Sequence, residues 1–122
     1  MNIINSYLNV LFEHFDVNKF VHIDLIATDN DEWGLDDAEA YVSKLGESCG
    51  IHCFEIEFKE SLKGDTKAFE TMLAHESVHV AQELSGMVMD YSLPYCEQEH
   101  EIEAYDMQEW LVFNSNMQRN MS

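Results

Sequence analysis

Thr71-Met72-Leu73-Ala74-His75-Glu76-Ser77-Val78-His79-Val80-Ala81-Gln82-Glu83-Leu84 is the stretch on which both fold and chemistry turn. Residues four apart on a helix stand one above the other, so His75 and His79 present their imidazoles on one face. Two imidazoles so placed can chelate a divalent zinc ion, and the carboxylate of Glu76 can reach a water on that metal. The flanks predict a helix buried on most sides: Phe69, Met72, Leu73, Ala74, Val78, Val80 and Ala81 are apolar or small. Asp65 is a suitable N-cap, the helix runs to about residue 84, and Gly86 lies just past its end.

Upstream, Ile4, Tyr7, Leu8, Leu11 and Phe15 recur at helical spacing and predict an amphipathic helix over 3–15. Val21, Ile23, Leu25 and Ala27 alternate, which predicts a strand over 20–27. An acidic loop over 28–34 follows. Asp36 with Glu39 forms a capping box, and Ala38, Tyr41, Val42 and Leu45 supply a helical stripe that Gly46 would end. Phe54, Ile56 and Phe58 alternate with Glu55 and Glu57, as expected of a strand over 51–58 with one wet face. Ser61-Leu62-Lys63-Gly64 makes a turn into the motif helix. Residues 87–95 connect to a last helix from about Glu97 to Met117. This is an α+β pattern: a small antiparallel or mixed sheet packed on the motif helix and on a glutamate-bearing C-terminal helix.

The 122 residues suit one compact domain spanning 1–122, with a 46% hydrophobic fraction typical of a folded chain. No apolar run approaches the roughly 20 residues of a membrane span. The first fifteen residues lack the basic segment of a secretory signal. Cys49, Cys53 and Cys96 are too few and odd in number for a disulfide framework, which favours a reducing cytoplasm. Cys49-Gly50-Ile51-His52-Cys53 lacks the Cys-x-x-Cys spacing of a zinc knuckle and reads as the start of a strand. With 24 acidic residues against 6 basic and a formal charge of −18, the composition argues against direct nucleic-acid binding through a basic patch. The same charge suits a basic partner or imitation of a phosphate backbone.

A catalytic zinc takes three protein ligands and leaves one position open. The third is sought in Cys96-Glu97-Gln98-Glu99-His100-Glu101-Ile102-Glu103-Ala104-Tyr105-Asp106. Helical phase puts Glu101 with Ala104, Tyr105, Gln108, Leu111 and Val112 on a core-facing side. Glu103 shares a wetter side with Glu99, Asp106 and Trp110. The two glutamates stand about 200° apart around a helix, so both cannot readily bind one metal. Phase favours Glu101, with Glu103 and His100 as alternatives.

His75-Glu76-Ser77-Val78-His79, followed 22 residues later by Glu101-Ile102-Glu103-Ala104, resembles the gluzincin metallopeptidases, whose pattern is HExxH plus a downstream E-x-x-A. It is also similar to small phage and bacterial HExxH proteins of the ImmA/IrrE-like and minimal zincin-like groups. The resemblance covers about residues 65–112. It implies a minimal zincin-like fold with zinc on His75, His79 and Glu101, and Glu76 as general base in peptide-bond hydrolysis. Oxyanion donors would come from Tyr91, Tyr95, Tyr105 or His100, and an edge strand beside the site, with 54–58 as the candidate, would take an extended peptide. Tyr105 stands where the family often has Asp or Asn, so support for a ligand must come from another residue, with Asp106 the nearest candidate.

Two functions therefore stand against each other. One is a zinc-dependent peptidase acting on a peptide or protein. The other is an acidic zincin-like binding or inhibitor protein that occupies a basic partner, through a run including Asp29, Asp31, Glu32, Asp36, Asp37 and Glu39. A purely structural zinc would call for four protein ligands. Trp110 and Phe113 permit a dimer, and the oligomeric state stays open.

Overall fold

The computed structural model describes residues 3–28, 40–87, 92–94 and 97–121. In chain order these form helix α1 (Ile3–Phe15), strands β1 (Phe20–Thr28), β2 (Ala40–Ser48) and β3 (Ile51–Lys59), a 3-10 turn (Glu60–Gly64), helix α2 (Thr66–Ser85) and helix α3 (Glu99–Met121). The architecture is α+β, with a three-stranded mixed sheet in the order β1-β3-β2. β1 pairs parallel with β3, placing Ile23 beside Phe54 and Leu25 beside Ile56. β2 pairs antiparallel with β3, placing Val42 beside Ile56.

The two-residue period of β3 turns Phe54, Ile56 and Phe58 into the core, each at most 2% exposed, and leaves Glu55 and Glu57 on the other face. Side chains buried that fully contribute about 1.5–3 kcal/mol apiece by transfer. Met72, Leu73, Ala74, Val78, Val80, Ala81 and Leu84 of α2 meet them, with Ile4, Tyr7, Leu8 and Leu11 of α1 and Ala104 and Leu111 of α3 closing the same cluster. Helix α2 is therefore the central element, packed against α1, α3 and the sheet. Its ends are fixed as its sequence demands. The Asp65 side chain accepts from the Ala68 N–H at 3.2 Å. Gly86 adopts φ 84°, and the Met87 N–H donates back to the Gln82 carbonyl. The Lys19 ammonium donates to the Leu84 carbonyl at 3.3 Å, a cation at the negative end of the helix.

Two expectations are corrected. The helix anticipated from Asp36 to Gly46 is a strand from Ala40 onward, while its proposed capping box lies outside the described residues. Tyr41, Val42 and Leu45 do fall at helical spacing, but Ala40 and Val42 also alternate, and pairing with β3 buries them against the core. A two-residue turn at Cys49-Gly50, both with positive φ (53° and 79°), reverses the chain between β2 and β3. That left-handed pair is the turn that matches strand twist. Gly46, expected to stop a helix, instead takes φ 124° at a bulge where the register shifts. The second correction concerns 54–58. This segment is the middle of the sheet, hydrogen-bonded on both sides, and offers no free edge to a peptide.

Replacing Ile56, fully buried at the centre of the sheet, by alanine is expected to cost about 2–5 kcal/mol. Chemical denaturation would check it. A loss below about 1 kcal/mol would contradict the central place given to β3.

Candidate metal centre

One face of α2 and the first turns of α3 converge on a single point. His75 Nε2 lies 3.0 Å from Glu101 Oε1, His79 Nε2 lies 3.1 Å from the same oxygen, and the two Nε2 atoms are 3.2 Å apart. The three side chains are 11–14% exposed. Three atoms able to carry lone pairs at such separations require a cation among them, either shared protons or a metal. Tetrahedral coordination with bonds of about 2.0 Å would set ligand atoms about 3.3 Å apart, so His75, His79 and Glu101 form a group that can hold a metal ion.

The outward nitrogens are also engaged. His75 Nδ1 donates to Gln108 Oε1 at 2.7 Å, and His79 Nδ1 donates to Gln82 Oε1 at 2.8 Å. Imidazole ligands gain orientation and basicity from such outer contacts. The support expected from Asp106 is not there, because that residue is exposed, and two glutamines fill the role instead. Gln108 was on the face assigned to Glu101. Gln82 stands three residues beyond His79 on the same side of the helix, a spacing that is the only signal of its role in the sequence.

The other candidates separate clearly. Glu103 turns toward Gln82, whose Nε2 donates to Glu103 Oε1 at 2.8 Å. His100 is 2% exposed, so it is not the solvated member of an acidic run, and its Nε2 lies 3.9 Å from Glu101 Oε2. The Tyr105 ring packs on that of His75, with centroids 4.6 Å apart. Tyr91 and Tyr95, also considered as donors, lie outside the described residues, as does the acidic run from Asp29 to Glu39.

The electrostatics follow from burial and from these contacts. Burial pushes the Glu101 carboxyl up, but hydrogen bonds to His75 and His79 and their charge overcome it and hold the group well below the usual carboxylate range. Burial pushes His79 down, and contacts with Glu101, Glu76 and Gln82 more than reverse it, so the imidazole holds its proton above the ordinary value of 6.5. Glu76, 7% exposed, is raised by burial, against the pull of His79 and His75. His100 is lowered by burial.

Compared with family models, with curated proteins and with solved structures, the chain matches none. Among the described residues no helix is long and apolar enough to cross a membrane. Cys49 and Cys53 carry free thiols. They lie at the hairpin turn and in β3, and the metal-ligating group contains neither.

Metal and proton compete for the same nitrogens. A divalent transition metal at about 100 times its dissociation constant should stabilise the fold by about 2.7 kcal/mol near neutral pH. Since His79 is raised, the increment should shrink as pH falls through the histidine range, and it should vanish in His75→Ala. Thermal melts with and without metal read both effects; an increment that persists in His75→Ala would place the metal elsewhere.

Proposed function

We propose that the chain is a zinc-dependent peptidase of the HExxH type, allied to the gluzincins and to the small ImmA/IrrE-like proteins. The observation that carries this reading is the convergence of His75, His79 and Glu101 beside a buried Glu76. Two imidazoles and one carboxylate would supply three ligands to a metal, the number found in catalytic rather than structural zinc sites. Zinc supplies Lewis acidity toward water and toward a carbonyl oxygen.

The chain's own residues handle the proton. Glu76 sits one position after His75 in α2, shielded from bulk water. Its raised pKa makes it a better proton carrier than an exposed carboxylate. It takes a proton from the attacking water and passes it to the leaving amine, returning to its starting state. Glu101 stays ionised, and its charge balances the cationic centre. The Tyr105 ring, tilted against that of His75 and half exposed, borders the site and offers an apolar surface to a substrate. The substrate is a peptide or protein, and the chain's charge of −18 favours a basic one. We place this activity in the cytoplasm.

A second reading, that of an acidic binder with little turnover, draws on the outer face of the sheet. There Asp24 pairs across from Glu55, and Glu57 follows on the same strand. Desolvation and then the neighbouring Glu57 and Asp24 carboxylates hold the Glu55 carboxyl above its usual range. Such a surface attracts a basic partner without any reaction.

Glu76→Gln separates the two. In a peptidase it should lower hydrolysis of a mixed peptide library by about 10²–10⁴-fold, the usual worth of a general base, while bound metal and melting temperature hold. Unchanged biological effect in the variant would favour the binder. Absence of stoichiometric metal in wild-type protein purified under metal-replete conditions would remove the peptidase reading.

A further inference from the structure

The geometry points to Gln82 as a positioning residue that sets both the tautomer of His79 and the docking of the helix turn that carries Glu101. This inference rests on the metal-centre reading above and extends it to a neutral residue that touches no reacting atom.

Both N–H groups and the carbonyl oxygen of the Gln82 amide are engaged, and Gln82 is fully buried. Its Nε2 donates to the His100 carbonyl at 3.0 Å and to Glu103 Oε1 at 2.8 Å. A backbone carbonyl can only accept, so the amide is placed with its nitrogen toward the His100 carbonyl and the Glu103 oxygen. The opposite orientation would set its oxygen against two acceptors in a site closed to water. With Nε2 fixed there, Oε1 must face His79, and at 2.8 Å from Nδ1 it can only receive a proton. His79 is thereby held with a proton on Nδ1, so the nitrogen that can give up its proton and offer a lone pair to a metal is Nε2, which faces His75 and Glu101. Metal ligands commonly gain this orientation from a carboxylate bound directly to the ring. Here the carboxylate of Glu103 acts one residue removed, through an amide.

The same two N–H groups join α2 to α3. Their acceptors belong to residues 100 and 103, which bracket Glu101. Gln82 therefore secures the turn that aims the third ligand. Gln108 lacks this determinacy. Its Oε1 receives His75 Nδ1 at 2.7 Å, and among the described residues no pair of acceptors dictates which way its amide lies.

The test combines ring-nitrogen NMR on metal-free protein with zinc affinity measured by chelator competition. In wild type, at a pH alkaline enough for neutral imidazole, His79 should show its proton on Nδ1. Gln82→Met, which keeps side-chain volume and removes the amide, should erase that preference and weaken zinc about 10–100-fold. Glu103→Gln keeps an acceptor for Gln82 but loses the carboxylate behind it, and should weaken zinc less than Gln82→Met does, whereas direct ligation by Glu103 would make its loss the larger of the two. The inference is overturned if wild-type His79 carries its proton on Nε2, or if Gln82→Met leaves both the tautomer and the affinity unchanged. Should Gln82→Met fail to fold, the wild-type tautomer still decides. Should wild type bind no zinc, the metallopeptidase reading fails by itself, and the tautomer measurement continues to judge Gln82.

Discussion

Everything around the candidate site depends on one electrostatic constraint. Three atoms that each offer a lone pair, two imidazole nitrogens and a carboxylate oxygen, are held about 3 Å apart in a largely dry place. Without positive charge among them the arrangement would repel itself, and low local polarisability would magnify the cost. The protein accepts that burden because both helices are locked elsewhere. Val78 and Ala81 of α2 and Ala104 and Leu111 of α3 are buried in the common core. Packing gathered away from the site thus fixes the geometry in which His75, His79 and Glu101 meet.

Helix α2 serves both ends of that bargain. Its middle is buried on nearly every side, so its orientation is over-determined by α1, the sheet and α3. A motif on a loose surface helix would leave the imidazoles free to rotate with it. Here the helix has capping at Asp65, a left-handed stop at Gly86 and a lysine at its last carbonyls. These local devices keep His75 and His79 in register with α3.

Most of this was legible in the residues. Helix α1 begins and ends where its apolar spacing says, β3 follows its two-residue alternation, and β1 follows it at Val21, Ile23 and Ala27 while Leu25 is exposed. Asp65 and Gly86 mark α2 because their chemistry suits a cap and a left-handed stop. Helical phase favours Glu101 over Glu103, and in the structure it is Glu101 that reaches both histidines. What failed depends on partners. Residues 40–45 carry both helical and alternating patterns, and only the hydrogen-bonding edge of β3 decides between them. The same holds for 54–58, because periodicity tells which face of a strand is wet but not how many neighbours it has. Gln82 escaped notice for a different reason. A neutral amide has no distinctive pattern in a sequence, and its importance comes from two acceptors on another helix.

The separation between the ligands along the chain has its own consequence. Glu101 lies 22 residues beyond His79, so uniting them closes a loop that includes the whole connection between α2 and α3. Closure entropy rises only with the logarithm of length, about 0.6 kcal/mol for each doubling. The connection is therefore a place where length is cheap to change, whereas a shift of one residue within α3 would rotate Glu101 by about 100° and lose the site. The tolerances of the molecule are inverted relative to its appearance in sequence. Divergence can accumulate between the two halves of the centre, while the phase of a single helix turn must be kept.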